Sequence, residues 1–373
     1  MMRVLFITTC PCFYRVRFFE ELGKYCDLTV IYEDGLKDYK SSDGKYYTLD
    51  TKDRYHIHPL RSMHVKRYNY AFGLSSFIRK QKFDIVVFGL IESFSSMKAM
   101  QMMHRKKMPY ILNIDGLDEK KRSRLKEWAC SHFIGIAPLL LSPSKSNDNV
   151  LMLYGAKQER IARFPFASYY ASQVLQKGLE TKDRLAIQEE LHVQHKRYVV
   201  SIGQFIPRKN PLGLLRVWKK CAPSDACLLL VGKGPLEPEV RSLIKELDIE
   251  NVEIIGFIDS KVIPLYYRIA EFSVLFSHED AWGLVISESL ANGTPVVATD
   301  GCYAATELLQ NGMNGELIED NEQDLERAMR KMFARSEQEQ AKQSENAVQR
   351  VKDYTIEHMV AVHMRIFTAF LQR

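Results

Sequence analysis

The chain has 373 residues, of which 46% are hydrophobic and 26% charged, the balance of an ordinary globular protein. The length fits two domains, and the composition excludes a disulfide miniprotein, a collagen and a disordered chain. The net charge of +6 is unevenly spread: residues 1–170 hold 28 Lys and Arg against 17 Asp and Glu, a net of +11, and the remainder stands at −5. A basic half implies an anionic partner, whether nucleic acid, phospholipid headgroups or a charged substrate.

In chain order, short apolar, β-branched runs predict strands at Val4–Thr8, Leu28–Tyr32, Ile85–Phe88, Tyr110–Ile114 and Phe133–Ala137. A second set follows at Tyr198–Ile202, Ala226–Val231, Val252–Ile255, Phe272–Phe276 and Thr294–Ala298. Helical patterns at Arg15–Lys24, Pro211–Lys220, Pro238–Leu247 and Glu288–Ala291 lie between them. Continuous apolar strands alternating with helices predict doubly wound α/β units with parallel sheets buried on both faces. The pattern restarts near Tyr198, after a Gln-, Lys- and Glu-rich stretch. The predicted division is therefore a Rossmann-like domain over 1–172, a linker over 173–196, a second Rossmann-like domain over 197–354 and a C-terminal helix over 355–373. In that last segment Ile356, Val360, Met364 and Phe367 recur at helical spacing. Ser336–Asn346, rich in Glu and Gln, predicts a solvated helix.

The N-terminus enters a strand at once, with too short an apolar core for a signal peptide. The longest clean apolar run, Ile85–Ile91, falls well short of the ~20 residues a membrane span needs. The seven cysteines are odd in number and form no C-x-x-C pair. They are expected to be reduced thiols of a cytoplasmic protein; Cys10-Pro11-Cys12 has no matching second pair to make a metal site.

Three constellations carry chemistry. In Ser277–Val297, a strand runs into an acidic loop, then Gly283, then a helix opening around Leu284–Ile286. Gly283 permits close backbone approach, and the first free N–H groups of the helix favour an anion. Asp280 and Glu288 flank that position; beside a phosphate they suit hydroxyls, which describes a nucleotide-sugar site, or they are incidental acids of an ordinary strand–turn–helix. In Ser201–Pro211, Arg208 and Lys209 follow a glycine turn at Gly203-Gln204. A planar fork and a point charge suit a diphosphate, or form a solvated basic loop. The third, Gly232-Lys233-Gly234, follows a buried strand but lacks the last glycine of the dinucleotide fingerprint; close approach of a base or ribose stays open.

Together these elements resemble the retaining glycosyltransferases of family 4, in the branch that builds bacterial polysaccharide and lipopolysaccharide. The resemblance runs along nearly the whole second half. It rests on Asp280-x7-Glu288, on Asn292-Gly293-Thr294-Pro295-Val296-Val297, on Asp300-Gly301-Cys302 and on Glu307-Leu308 with Asn311–Gly315. Tyr154-Gly155-Ala156 and Phe164–Ser168 resemble segments of the same branch, with their Phe residues expected in the core. The resemblance implies a GT-B fold, two Rossmann-like domains facing a cleft with the C-terminal helix crossing back to the first. Arg208 and Lys209 would hold the donor diphosphate, and Asp280 the donor sugar, with Glu279 beside it. Glu288 would hold the ribose. Gly203, Gln204, Gly232, Lys233, Gly234, Phe257, Ile258, Ala281, Trp282, Gly283, Leu284 and Val285 would line the donor site. Two departures stand out: Asp280 replaces the usual Glu, and Gln204 stands where Arg is common.

In the first half, Asn113-Ile114-Asp115-Gly116 ends a strand where relatives carry a His near the acceptor. Asp115 and Gly116 would face the reacting sugar, or Asp115 would cap a helix. Arg15 and Arg17, in a first loop without glycine, would bind an anionic acceptor or lie on a solvated helix face. Basic runs at Lys66-Arg67, Arg105-Lys106-Lys107 and Glu119–Lys126 would attract an anionic membrane surface or be solvated helix ends. No nucleic-acid motif accompanies them.

The expected protein is thus a metal-independent retaining hexosyltransferase. It would move a sugar, UDP-linked, from a nucleotide sugar to a hydroxyl of a glycan or lipid-linked acceptor in cell-surface polysaccharide synthesis. No cofactor is expected, and there is no Asp-x-Asp metal anchor in the sequence. The expected location is the cytoplasm, peripheral on the inner face of the membrane. The alternative is a catalytically silent GT-B protein that binds nucleotide sugar or a partner.

Overall fold

The computed structural model describes residues 1–35, 54–65, 68–89, 91, 93–117, 124–191, 193 and 197–372. The chain forms two compact units, one from Met1–Ser168 with Tyr354–Arg373, the other from Tyr169–Asp353.

In unit 1 the strands are β1 (Arg3–Thr8), β2 (Asp27–Tyr32), β3 (His56–Ile57), β4 (Ser62–Val65), β5 (Tyr68–Ala71), β6 (Ile85–Phe88), β7 (Tyr110–Asn113), β8 (Leu140–Ser142) and β9 (Ile161–Arg163). Seven of them pair in the order β3-β2-β1-β6-β7-β8-β9, all parallel; β4 and β5 make a separate antiparallel pair. The helices are α1 (Phe13–Leu22), α2 (Leu74–Lys80), α3 (Phe94–Arg105), α4 (Arg124–Ile136) and α5 (Lys145–Leu153). Strands without polar alternation are buried on both faces, as parallel sheets require: every residue of β6 and β7 is buried.

Unit 2 begins with α6 (Thr181–Glu190), β10 (Arg197–Ile202), α7 (Pro211–Cys221), β11 (Ala226–Val231), α8 (Glu237–Glu246) and β12 (Val252–Gly256). It continues through α9 (Ile263–Ile269), β13 (Ala270–Leu275), α10 (Leu284–Ala291), β14 (Val296–Thr299), α11 (Tyr303–Leu308), β15 (Gly315–Ile318), α12 (Glu322–Phe333) and α13 (Glu337–Val351). Its sheet runs β12-β11-β10-β13-β14-β15, the strand order of a dinucleotide-binding domain. Alternate strand residues feed two cores. Val199, Leu228, Leu230, Phe272 and Val274 join Trp218 and Met329; Tyr198, Val200, Leu229 and Val231 join Tyr267 and Ile269. The indole of Trp218 is wholly buried and satisfies its N–H on Asn251 Oδ1 at 3.0 Å.

The chain then returns to unit 1 as α14 (Ile356–Leu371). This helix packs on α1, with the His363 ring between Phe18 (4.8 Å between centroids) and Phe164 (4.6 Å). Phe164 and Phe166 are buried.

Three expectations need correction. The run Phe133–Ala137 is not a strand: Phe133–Ile136 closes α4, and the strand is β8. Ala129, Cys130, Phe133 and Ile134 are the buried residues of that helix, a helical spacing that a five-residue apolar run cannot distinguish from a buried strand. The stretch 173–196 is not a linker. It carries α6, whose buried Arg184 donates to the Arg268 carbonyl at 2.9 Å and to the Gly293 carbonyl at 3.0 Å, so charged residues here anchor a helix to unit 2. The Ser336–Asn346 helix is only partly solvated: Ser344 is buried, donating to the Gly293 carbonyl at 2.5 Å and accepting from Leu179 N–H at 2.6 Å.

Candidate functional site

The unit 2 sheet reverses its winding between β10 and β13, where ligands of such sheets bind. The loops that follow these strands are joined there: His278 N–H donates to the Arg208 carbonyl at 2.8 Å. Arg208 and Lys209 sit in a single 3-10 turn, Pro207–Lys209. Asn210, at φ 48°, ends that turn and caps α7 by accepting from Gly213 N–H at 3.1 Å. The turn aims both cations at one carboxylate. Arg208 Nη1 donates to Asp280 Oδ1 and to the Glu279 carbonyl, each at 3.2 Å, and Lys209 Nζ donates to Asp280 Oδ2. The three residues expected to hold the donor's diphosphate and sugar therefore form one ion cluster of net charge +1, with Lys209 and Asp280 largely shielded from water.

Asp280 is held from behind by its own N–H, which donates to the Gly301 carbonyl at 3.0 Å. Three residues on, Gly283 adopts φ 89° as the N-cap of α10, and a Cβ there would overlap Cys302 Sγ. Cys302 Sγ and Ala304 N–H both donate to the Trp282 carbonyl, at 2.9 and 2.8 Å, and the Trp282 side chain is buried. Ala281 is exposed, and Leu284 and Val285 are half-buried; the latter two open α10, an eight-residue helix with no side chain capping its first turn. Its leading N–H groups and the positive end of its dipole suit an anion. Glu288, one turn in, is half-buried. Burial pushes the Tyr267 phenol well above its usual range, and the neighbouring Glu288 adds to the effect.

Gly203 and Gly232 end β10 and β11. A Cβ on Gly232, at φ 145°, would overlap the Gly203 carbonyl oxygen, and one on Gly234 would overlap that of Phe205. Phe205 N–H donates to the Lys233 carbonyl and Leu236 N–H to the Phe205 carbonyl, each at 3.0 Å. Backbone packing of one loop against the next thus accounts for these glycines, where the sequence left ligand approach open. Gln204, Lys233 and Phe257 are exposed, whereas Ile258 packs on the Tyr267 core.

The sequence reading missed His278–Asp320, an exposed pair whose Nδ1 and Oδ2 lie 2.7 Å apart at the same loop. His278 stood in the quoted motif; Asp320 follows β15, which no apolar run announced.

In unit 1, Arg15 and Asp115 are brought together as an ion pair, and Asn113 Nδ2 donates to Asp115 Oδ1 at 2.9 Å. Arg15 is not on a solvated face: it is 4% exposed, with its guanidinium 5.4 Å from the Phe6 ring centroid and 5.9 Å from that of Tyr14. Burial, the largest single influence, would lower its pKa, but the Asp115 carboxylate together with Tyr14 and Cys12 outweighs that and raises it. Arg15 Nη1 and Asn113 Oδ1 are buried without a hydrogen-bond partner among the described residues. Gly116 is half-buried beside them. Arg17 donates to the Ser168 carbonyl at 3.0 Å. Arg105, Lys106 and Lys107 form a solvated end of α3, while Lys66, Arg67 and residues 118–123 of the other basic runs lie outside the described residues. Among the described residues no group of three His, Cys, Asp or Glu side chains could hold a metal, and no helix is long and apolar enough to cross a membrane.

Residues 183–350 match the family model of glycosyl transferases group 1. Over that stretch the chain is similar to the group 1 glycosyl transferases. The matched stretch runs from α6 into α13 and contains the Arg208–Lys209–Asp280 cluster. The chain is 28% identical over 199 residues to N-acetylgalactosamine-N,N'-diacetylbacillosaminyl-diphospho-undecaprenol 4-alpha-N-acetylgalactosaminyltransferase of Campylobacter jejuni, covering 53% of this chain and 51% of that one. It is 26% identical over 185 residues to alpha-monoglucosyldiacylglycerol synthase of Streptococcus pneumoniae, covering 48% and 41%. The matched stretch therefore spans about half the length, or less, of these curated relatives. In three dimensions the chain is similar over its full length to HepE of Anabaena in complex with UDP, at a TM-score of 0.79 and 17% identity, with 100% of each chain covered. It is also similar to WaaG, a glycosyltransferase involved in lipopolysaccharide biosynthesis, at a TM-score of 0.71 and 13% identity, covering 98% and 99%. At such identities the likeness gives the fold, which is GT-B: two Rossmann-like α/β units.

Proposed function

We propose that the protein is a retaining glycosyltransferase that moves a sugar from a UDP-linked donor to a hydroxyl of a glycan or lipid-linked acceptor in cell-surface polysaccharide synthesis. The observation that carries this reading is the convergence of Arg208 and Lys209 on Asp280 at the switch point of the unit 2 sheet, within the stretch that matches the family model. In transfer, the bond from the anomeric carbon to the diphosphate breaks and a bond to the acceptor oxygen forms on the same face. A phosphate oxygen of the leaving diphosphate takes the acceptor proton, so no protein nucleophile is required. Arg208, Lys209 and the N–H groups opening α10 stabilise the departing charge, the kind of preorganised electrostatic contribution that dominates many catalysed reactions. Asp280 receives sugar hydroxyls and Glu288 those of the ribose.

Unit 1 takes the acceptor, and the buried, incompletely paired Arg15 and Asn113 beside Asp115 supply its polar contacts. UDP in the HepE structure and the diphospho-undecaprenol in the Campylobacter relative's name support a nucleotide donor and a lipid-linked acceptor. The +11 charge of residues 1–170, with Leu125 and Trp128 exposed on α4, supports docking on the anionic inner face of a membrane.

Purified protein is tested for transfer and for donor hydrolysis with a panel of nucleotide sugars. Arg208→Ala and Lys209→Ala are each expected to lose about 10²–10³ in turnover, the scale for removing one preorganised charge stabiliser. Near wild-type rates in both variants remove the leaving-group assignment. Activity is expected to persist in EDTA; complete loss restored by Mn²⁺ removes the metal-free reading.

A further inference from the structure

None of the seven cysteines is in a disulfide, and five are buried: Cys26, Cys130, Cys221, Cys227 and Cys302. Burial holds the thiols of Cys26 and Cys302 up at about 12 and that of Cys221 at about 11, so they are poor nucleophiles at neutral pH. The remaining two, Cys10 and Cys12, are half-exposed neighbours after β1, with Sγ atoms 3.9 Å apart.

Their surroundings favour one thiolate. Cys12 is the N-cap of α1, a ten-residue helix with no acidic residue in its first turn and no side-chain cap. The helix dipole favours negative charge at this position, and Arg15 stands in the first turn. Hydrogen bonding with Cys10, then with Tyr14, and the charge of Arg15 draw the Cys12 thiol down to about 7 against its burial. Cys10 is driven up chiefly by its hydrogen bond to Cys12. Of the two sulfurs, Cys12 is therefore the more readily ionised and Cys10 the one that keeps its proton longer.

We propose that Cys10 and Cys12 are a redox-active dithiol that reacts with hydroperoxides and closes to an intrachain disulfide. The Cys12 thiolate attacks the nearer peroxide oxygen, and the O–O bond breaks. The leaving alkoxide or hydroxide takes the proton that Cys12 has lost, and Cys12 becomes a sulfenic acid. Cys10 sulfur then attacks Cys12 sulfur, and the S–O bond breaks, the hydroxyl leaving as water with the Cys10 proton. The sum is two thiols and one hydroperoxide giving one disulfide, one alcohol or water, and one further water. The geometry permits closure. Two residues of extended chain span at most ~7 Å, near the upper end of the usual Cα separation across a disulfide, and the sulfurs need to close by roughly 2 Å, within reach of side-chain rotation. The closed bond would pin the turn that leads into Arg15.

The test treats reduced, folded full-length protein with a small excess of hydrogen peroxide at neutral pH, blocks remaining thiols, and measures the mass of tryptic peptide 4–15. The expected product is a peptide two hydrogens lighter, reversed by dithiothreitol, with the five buried cysteines still alkylatable after unfolding. Its rate should exceed that of urea-unfolded chain at least tenfold and fall as pH drops below 7. In Cys10→Ser, a dimedone adduct is expected at Cys12 instead. Recovery of two free thiols, sulfinic acid on Cys12 with Cys10 still free, or an equal rate in the unfolded chain overturns the proposal.

Discussion

Asp280→Asn separates the two roles assigned to the ion cluster. Asp280 neutralises one of the two cations that would hold a diphosphate, so a bound phosphate is also repelled by Asp280. At an effective dielectric constant of about 20, unit charges ~4 Å apart interact by about 4 kcal/mol. The Arg208 side chain is 42% exposed, and a phosphate beyond the cations lies further from Asp280 than they do. About a third of that figure, ~1.4 kcal/mol, is the expected repulsion once screening is allowed for. Asp280→Asn is thus expected to bind UDP about tenfold more tightly than wild type at low salt. The gain should shrink at ~0.5 M NaCl, because exposed charges are screened over a few ångströms there. Turnover should nevertheless fall, since the sugar loses its carboxylate acceptor. Titration calorimetry at two ionic strengths, with initial rates beside it, reads both effects. Unchanged or weaker UDP binding at low salt would refute the argument, placing the diphosphate away from Arg208 and Lys209.

Two further variants test the scaffold. Gly232→Ala forces a methyl group onto the Gly203 carbonyl from a left-handed backbone and is expected to cost more than ~2 kcal/mol in urea unfolding; Gly203→Ala, whose Cβ meets only Lys209 Cδ at 3.9 Å, should stay within ~1 kcal/mol. His363, buried among Phe18, Phe164 and Phe367 with Arg15 nearby, is held down at about 4, chiefly by burial. The unfolded chain binds its proton near 6.5, so between about 6.5 and 4 the unfolded state holds more protons and stability falls as pH is lowered. His363→Gln should flatten that acid limb of the stability curve, a change of on the order of 3 kcal/mol between pH 7 and 4; an unaltered limb removes the assignment.

The loops proposed to hold the donor were legible because their sequence signal is local. Arg208-Lys209 and Asp280-x7-Glu288 each lie in one loop or at one helix start, and the strand–turn–helix context follows from apolar runs on either side. What the sequence withheld is pairwise and long-range. Nothing near Asp280 announces that both cations rest on it, since the partners are about seventy residues away in sequence. The Gly232 and Gly234 requirement comes from carbonyls of the preceding loop, which a glycine-spacing rule attributes equally well to a ligand. The polarity of 173–196 looked like a linker because a buried Arg satisfied by backbone carbonyls leaves no apolar signature. Arg15 was ambiguous for the same reason: its partner, Asp115, is a hundred residues away.

The return of α14 to unit 1 has a consequence for biosynthesis. Unit 2 is continuous in the chain, whereas the core of unit 1 stays open on the Phe18 and Phe164 side until Phe367 has been made. At ~5–20 residues per second, that leaves unit 1 incomplete for on the order of 10–40 s while unit 2 is translated. The half begun first is therefore the half finished last. Truncations within the last sixteen residues should expose the aromatic face of α1 to chaperones and proteases, although they remove nothing from the stretch 183–350 that matches the family model.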